Sequence, residues 1–426
     1  MAQGAADRSR RRGGEQQGTS PEIEATAREG ADSVYRYIER TAERVADGVR
    51  WQTLSYENEP QYDLSIFNGV AGIAMFLADY YRLTRTERAL ELAAGALRWC
   101  SQPERLSEGS VEAWRRDGLG RGRAGPGMGW LRLGAVTSDC EHLDQAQAAG
   151  ENLLRKAPGP VTDWLDGAAG EGLFLLRLAE ATREERFLAG AVRWAEWLAG
   201  VAKRDEYGCY WPWEAGDSEY ANWFGLSFLP GLSGIGYFLL CLYQATGEER
   251  WAALAREAAG TLQRQAHPDH GGLNWPDTLD GLEHGEQLRC QWCNGAPGVG
   301  IFFAKAAEVL EPHGASGGYL ALAEAAGEAT YRYGDVRHNA VQCHGLAGNG
   351  ELLLDLYRLT GQAQWRERAH EFARQAFAYR VQTPEGEVWQ ADDPGYFSPD
   401  FMLGAAGTGH FFLRLWQPEG LTRPVL

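Results

Sequence analysis

The chain has 426 residues, 44% of them hydrophobic, and a formal net charge of -17. That is enough apolar material for a substantial core, and the negative charge repels phosphate backbones and anionic membrane faces, which excludes nucleic acid and membrane as main partners. Seven cysteines without framework spacing speak against a secreted disulfide scaffold; no stretch approaches the roughly 20 uninterrupted apolar residues of a spanning helix, so a cytoplasmic location is expected.

Residues 1–22, "MAQGAADRSRRRGGEQQGTSPE", are polar and rich in arginine and glycine, with no apolar run. They are expected to form a disordered arm ahead of a folded region spanning 23–426.

From Asn68 onward one phrase recurs seven times: "NGVAGIAMFL" from Asn68, "RGRAGPGMGWL" from Arg121, "DGAAGEGLFLL" from Asp166, "PGLSGIGYFLL" from Pro230, "NGAPGVGIFF" from Asn294, "HGLAGNGELLL" from His344 and "LGAAGTGHFFL" from Leu403. Each is a Gly-x-x-Gly turn entering an apolar run. Thr84, Thr137, Thr182, Thr246 and Thr360 each stand twelve residues after the second glycine of their unit. Twelve helical residues span about 18 Å, so each unit opens with a buried inner helix. A turn follows the threonine, and then an amphipathic stretch such as "EERWAALAREAAGTL" or "AQWRERAHEFARQAF", with apolar residues recurring at three and four. The spacing predicts seven stacked α-hairpins, an all-α protein that is either an open solenoid or a closed ring. A dinucleotide fingerprint is excluded, because no β-branched strand precedes the glycines.

Function should lie where the units differ at their shared turn. The residue before the first turn glycine is Asn68, Arg121, Asp166, Pro230, Asn294, His344 or Leu403, and Cys293 and Cys343 stand one residue earlier in the fifth and sixth units. Two adjacent units thus present Cys293, Cys343 and His344 at matching places, a three-ligand set for zinc with a fourth position open. Cys290 leaves an alternative: on helical spacing it could share a face with Cys293 and close a Cys₃His structural site. Cys100, Cys140, Cys209 and Cys241 are expected as small buried hydrophobes.

"WCNGAPG" with "QCHGLAGNGELLLDLYRLTG" resembles the lanthionine synthetase C family of peptide cyclases, and the resemblance runs from about Leu64 to Leu415 through all seven turns. It implies an α/α toroid, a double ring of helices, with one Zn²⁺ held by Cys293, Cys343 and His344. It also implies addition of substrate thiols to dehydroalanine or dehydrobutyrine in a dehydrated precursor peptide made by a separate dehydratase, giving lanthionine or methyllanthionine rings. Asp163 matches a family aspartate that orients an acid or base, with Asp166 the lesser candidate, and Arg289 matches an arginine suited to the enolate oxygen. The fourth unit departs from the pattern. Pro230 stands where the family has histidine, so the proton would come from elsewhere, such as His284, His338, Tyr220 or water. Other readings of the chain are addition of a small thiol such as glutathione, a non-catalytic peptide-binding scaffold, and an α/α-toroid glycosidase, the last disfavoured by the thiol and imidazole set.

Overall fold

The computed structural model describes residues 20–102, 117–311, 318–333 and 339–422. Among these residues there are fourteen helices. The inner set is α2 (Val70–Thr84), α4 (Ala124–Thr137), α6 (Ala168–Thr182), α8 (Leu232–Thr246), α10 (Ala296–Leu310), α12 (Leu346–Thr360) and α14 (Ala405–Trp416). The outer set is α1 (Pro21–Thr41), α3 (Glu87–Cys100), α5 (Cys140–Leu154), α7 (Glu185–Val201), α9 (Glu249–Arg264), α11 (Tyr319–Arg332) and α13 (Ala363–Ala376). Every inner helix packs against both inner neighbours, and α14 packs against α2, so the ring closes as an α/α toroid.

The seventh hairpin is assembled from the two ends of the chain. No helix follows α14 among the described residues; its outer partner is α1, which buries Ala27, Ala31, Val34 and Ile38. The order inner then outer therefore holds for six units and reverses for the last. α1 begins at Pro21, within the segment expected to be an arm; residues 1–19 lie outside the described residues.

Each threonine of the repeat is the last residue of its inner helix, and its hydroxyl donates to the carbonyl four residues earlier, at 2.7 to 2.9 Å. The same oxygen accepts the N–H two residues on, at 3.2 to 3.3 Å, which starts the turn into the outer helix. One hydroxyl thereby satisfies a terminal carbonyl and a turn amide.

The glycines are explained chiefly by close approach. At the second turn glycine of all seven units, a Cβ would lie 3.0 Å or less from the carbonyl oxygen of the residue six earlier. The third glycine is a hole for the next unit. Gly127, Gly172 and Gly236 receive the rings of Phe174, Phe238 and Phe302; Gly300 receives Leu352; Gly350 and Gly409 receive Phe411 and Phe76. A ring thus enters five of these six glycines, including the one at the closure, each buried phenylalanine contributing about 1.5 to 3 kcal/mol. Left-handed backbone is needed at the first glycine in only two turns, Gly231 (φ 154°) and Gly295 (φ 101°).

The seven turns gather at one mouth of the ring, tied by backbone hydrogen bonds between matching residues. Phe67 N–H donates to Gly120 C=O, and Gly120 to Leu165. Beyond a joint without this bond, Leu229 donates to Cys293, Cys293 to Cys343, Cys343 to Met402 and Met402 back to Phe67, all at 2.7 to 3.4 Å. The joint that lacks it, Leu165 to Leu229, is the one beside Pro230.

Five antiparallel ribbons, unforeseen from the sequence, decorate the rim: β1 with β2 (Glu43–Val45, Gly48–Arg50), β3 with β4 (Thr53–Leu54, Pro60–Gln61), β5 with β6 (Lys203–Asp205, Gly208–Tyr210), β7 with β8 (His267–Asp269, Gly272–Asn274) and β9 with β10 (Arg380–Thr383, Gly386–Trp389). A tryptophan follows three of them and donates its indole N–H to an outer-helix carbonyl thirteen residues back: Trp51 to Ile38, Trp211 to Leu198 and Trp275 to Leu262. Among the described residues no helix is long and apolar enough to cross a membrane.

Candidate metal centre

Cys293 lies three residues before α10, and Cys343 and His344 lie three and two before α12. The hydrogen bond from Cys293 N–H to Cys343 C=O, 3.4 Å, brings these adjacent turns together. The side-chain ligand atoms of Cys293, Cys343 and His344 all lie within 4.8 Å of one another. Both cysteines are buried.

The imidazole is oriented by a carboxylate distant in the chain. His344 Nδ1 stands 2.7 Å from Asp392 Oδ2, and Asp392 Oδ1 accepts from Asn339 Nδ2 at 2.8 Å. With Nδ1 held by Asp392, Nε2 is the nitrogen left toward Cys293, the arrangement by which carboxylates fix metal-binding histidines. Asp392 is 48 residues beyond His344, just past β10, and no local motif marks it.

The two thiols behave differently. The Cys343 thiol, His344 and Arg289 hold Cys293 down to about 5 against its burial, whereas burial and the Cys293 charge push Cys343 up. For His344, burial works downward, but the Cys293 charge and Asp392 raise it to about 10. Two thiols and an imidazole, one thiol readily ionised and the imidazole already tethered, are a soft donor set that fits zinc.

Cys290 does not join them. It is buried, its backbone bridges to Gly295, and its thiol lies near Thr330 of α11, outside the three-residue cluster. Burial pushes that thiol up. Helical spacing does not apply here, because residues 290–295 form the turn before α10. The group that could hold a metal is therefore Cys293, Cys343 and His344, and Cys290 does not join it as a fourth. Cys100, Cys209 and Cys241 are buried as expected; Cys140 is exposed, because it opens α5 on the outside of the ring.

Asp163 is 1% exposed and holds its turn together: Oδ1 accepts Asp166 N–H at 2.8 Å, and Oδ2 accepts the Trp213 indole N–H at 3.0 Å. Burial, reinforced by the Asp166 charge, pushes its carboxyl up to about 7. Asp166 pairs instead with Arg121, whose Nε lies 3.0 Å from Oδ1, so matching turn positions of the second and third units meet as an ion pair. Arg289 is half-exposed and pairs with Asp277, and its charge reaches Cys293.

Trp213 lies in the loop after β6, with its ring against Tyr220 (4.6 Å) and Trp223 (6.2 Å). It supplies the second hydrogen bond to Asp163, at 3.0 Å. His284 is well exposed, with Nδ1 3.0 Å from the Asp280 carbonyl of its own turn. His338 lies outside the described residues.

The lanthionine synthetase C-like protein family model matches residues 24–198 and 60–424. LanC-like protein GCL1 of Arabidopsis thaliana is 28% identical over 346 residues, covering 76% of this chain and 72% of that protein. Glutathione S-transferase LANCL1 of Danio rerio is 30% identical over 191 residues, 44% of this chain and 42% of that protein. Among solved structures, nisin cyclase shares the fold, with a TM-score of 0.63 at 16% identity over 92% of this chain and 94% of its own. Since the family model spans all seven glycine turns together with Cys293, Cys343 and His344, the protein belongs to the lanthionine synthetase C-like family.

Proposed function

We propose that this protein is a zinc-dependent peptide cyclase that joins cysteine thiols to dehydroalanine or dehydrobutyrine in a dehydrated precursor peptide, forming thioether rings. The observation that carries this reading is the cluster of Cys293, Cys343 and His344 within 4.8 Å, with Cys290 outside it. Zinc held by these three would leave a position for a substrate thiol and make it a thiolate at neutral pH. The chain's own residues do the rest. Asp392 holds His344 in the ligating tautomer, and Arg289, beside Cys293, is the cation for the enolate oxygen that appears when sulfur adds to the β-carbon. Asp163 is a positioning residue that shapes the third turn. The dehydroamino acids are made by loss of water from serine or threonine, so a dehydration step, the work of a separate dehydratase, must precede this one.

The name of the Danio rerio relative supports a second reading, addition of glutathione to the same electrophile. One experiment separates the two. The purified protein is assayed for metal, then incubated with a dehydrated peptide that contains cysteine, with and without glutathione. Cyclisation consumes the peptide thiol at constant mass; intermolecular addition raises the mass by one glutathione. Protein that holds no zinc under reducing conditions, or zinc-loaded protein that consumes no thiol, would overturn the enzymatic reading in favour of a scaffold.

A further inference from the structure

An enolate formed at the mouth must gain a proton at its α-carbon, and the residues around the metal centre are mostly committed. Both oxygens of Asp163 are occupied, Asp166 is paired with Arg121, Asp392 is bound to His344, and the proline at position 230 has no proton to give. Guanidinium groups are too basic to serve.

Tyr56 stands apart from this set. It sits in the loop between β3 and β4, and its hydroxyl makes no hydrogen bond among the described residues. The loop is well anchored. Ser55 Oγ accepts the amides of Glu57 (3.1 Å) and Glu59 (3.3 Å), Asn58 Nδ2 donates to Asp393 Oδ2 (2.7 Å), and Asn68 Nδ2 donates to the Leu54 carbonyl (3.1 Å). Asn68 is the first unit's counterpart of His344, so this anchor ties the loop to the ring of turns. The Tyr56 ring lies over Phe67 with centroids 6.2 Å apart and planes 18° from parallel, and Phe67 is itself bonded to Gly120 and Met402 in the mouth's backbone girdle. The residue is 55% exposed, yet its phenol is within electrostatic reach of Cys343, Cys293, Asp392 and Arg121. Beneath it is a cavity of about 190 Å³, which Tyr56 and Asn58 share with Asp392, Asp400 and Leu403. A half-exposed phenol without a hydrogen-bond partner thus borders the same cavity as Asp392, the carboxylate that holds His344.

We propose that Tyr56 is the catalytic acid of this chain, donating its hydroxyl proton to the α-carbon; this rests on the thioether-forming reading above. Sulfur bonds to the β-carbon, and the electron pair of the Cα=Cβ bond moves onto the carbonyl as an enolate. The enolate collapses, taking the proton from Tyr56 Oη at Cα. Water returns a proton to the phenolate, matching the one released when the substrate thiol ionised. Burial, with the charges of Cys343, Cys293 and Asp392, pushes the Tyr56 phenol above the ordinary range, so it retains its proton at neutral pH, and it remains far more acidic than the α-C–H bond that its proton forms.

The test is Tyr56→Phe, which keeps the ring on Phe67 and removes only the hydroxyl. Wild type, Tyr56→Phe and Tyr220→Phe are compared for zinc content, melting temperature, kcat and KM on a dehydrated peptide, and the configuration of the new α-carbon is read by chiral analysis after reaction in D2O. We expect Tyr56→Phe to keep zinc and melting temperature, to hold KM within about twofold and to lose about 100-fold in kcat. Its product should be a mixture of α-configurations, because solvent then delivers deuterium from either face. Tyr220→Phe should match wild type. A Tyr56→Phe enzyme with wild-type kcat, or a slow one that still gives a single configuration, overturns the assignment and leaves the cyclase reading standing. Wild-type protein that is zinc-loaded and inert overturns that reading and Tyr56 with it.

Discussion

The indole nitrogen of Trp213 lies 3.0 Å from Asp163 Oδ2, so the aspartate at the third turn is completed by a neutral donor that cannot exchange its proton near neutral pH. Asp163 is thereby a structural anchor with two hydrogen bonds and almost no exposure. Asp163→Asn places an amide where two N–H donors converge, and one of them loses its acceptor, costing about 1 to 3 kcal/mol. The variant should melt earlier, retain zinc and cyclise several-fold more slowly. Loss of activity as complete as that of a metal-ligand variant, in a protein of unchanged stability, would show that Asp163 acts directly on substrate.

The metal ligands and their buried neighbour separate cleanly. Cys343→Ala should abolish zinc binding and ring formation while the helical circular dichroism persists, because the core is distributed over seven hairpins. Cys290→Ala should retain zinc stoichiometry, since its thiol faces Thr330. Metal analysis beside circular dichroism checks both; unfolding of Cys343→Ala would mark the site as structural.

Asp392→Asn tests the orienting carboxylate. An amide can still bond to His344 Nδ1 but does not raise the basicity of the ring, and loss of such a partner lowers metal affinity by about 10- to 100-fold. Competition with a chelator of known affinity reads this directly, and an unchanged affinity would remove Asp392 from the metal centre's support.

Stability should depend on pH through buried carboxyls. Burial pushes Glu171 up to about 7, with the Trp194 indole (2.5 Å) and Lys156 acting downward and Asp117 and Asp163 upward. An unfolded glutamate titrates near 4.3, so the folded state holds this proton more tightly. The resulting stability is complete below about 4.3 and is lost as pH rises through about 7. Asp163 and Asp400, both raised to about 7 chiefly by burial, act in the same direction. Denaturation at pH 6 and pH 8 should show a loss of about 1 kcal/mol per group, and Glu171→Gln, which keeps an acceptor for Trp194, should flatten the profile. An equal slope in the variant would refute the assignment.

Much of the architecture was legible in one dimension because it repeats. Seven glycine turns and five threonines at constant spacing specified the hairpins, and comparison of matching positions singled out Cys293, Cys343 and His344 before any fold was known. Such features depend on residues within a dozen positions of one another, where backbone sterics and helical periodicity dictate the outcome. What only the tertiary structure decided depends on meetings across long stretches of chain. The amphipathic face of α1 does not name α14 as its partner, and nothing near His344 announces Asp392, 48 residues on. The three-residue interval from Cys290 to Cys293 reads as one helical face, yet the segment bends as a turn and leaves Cys290 outside the cluster. Pro230 marked a missing imidazole, but that Trp213 from a rim loop would supply the hydrogen bond to Asp163 followed from packing alone, since which donor reaches a buried carboxylate is set by how the loops fold over it.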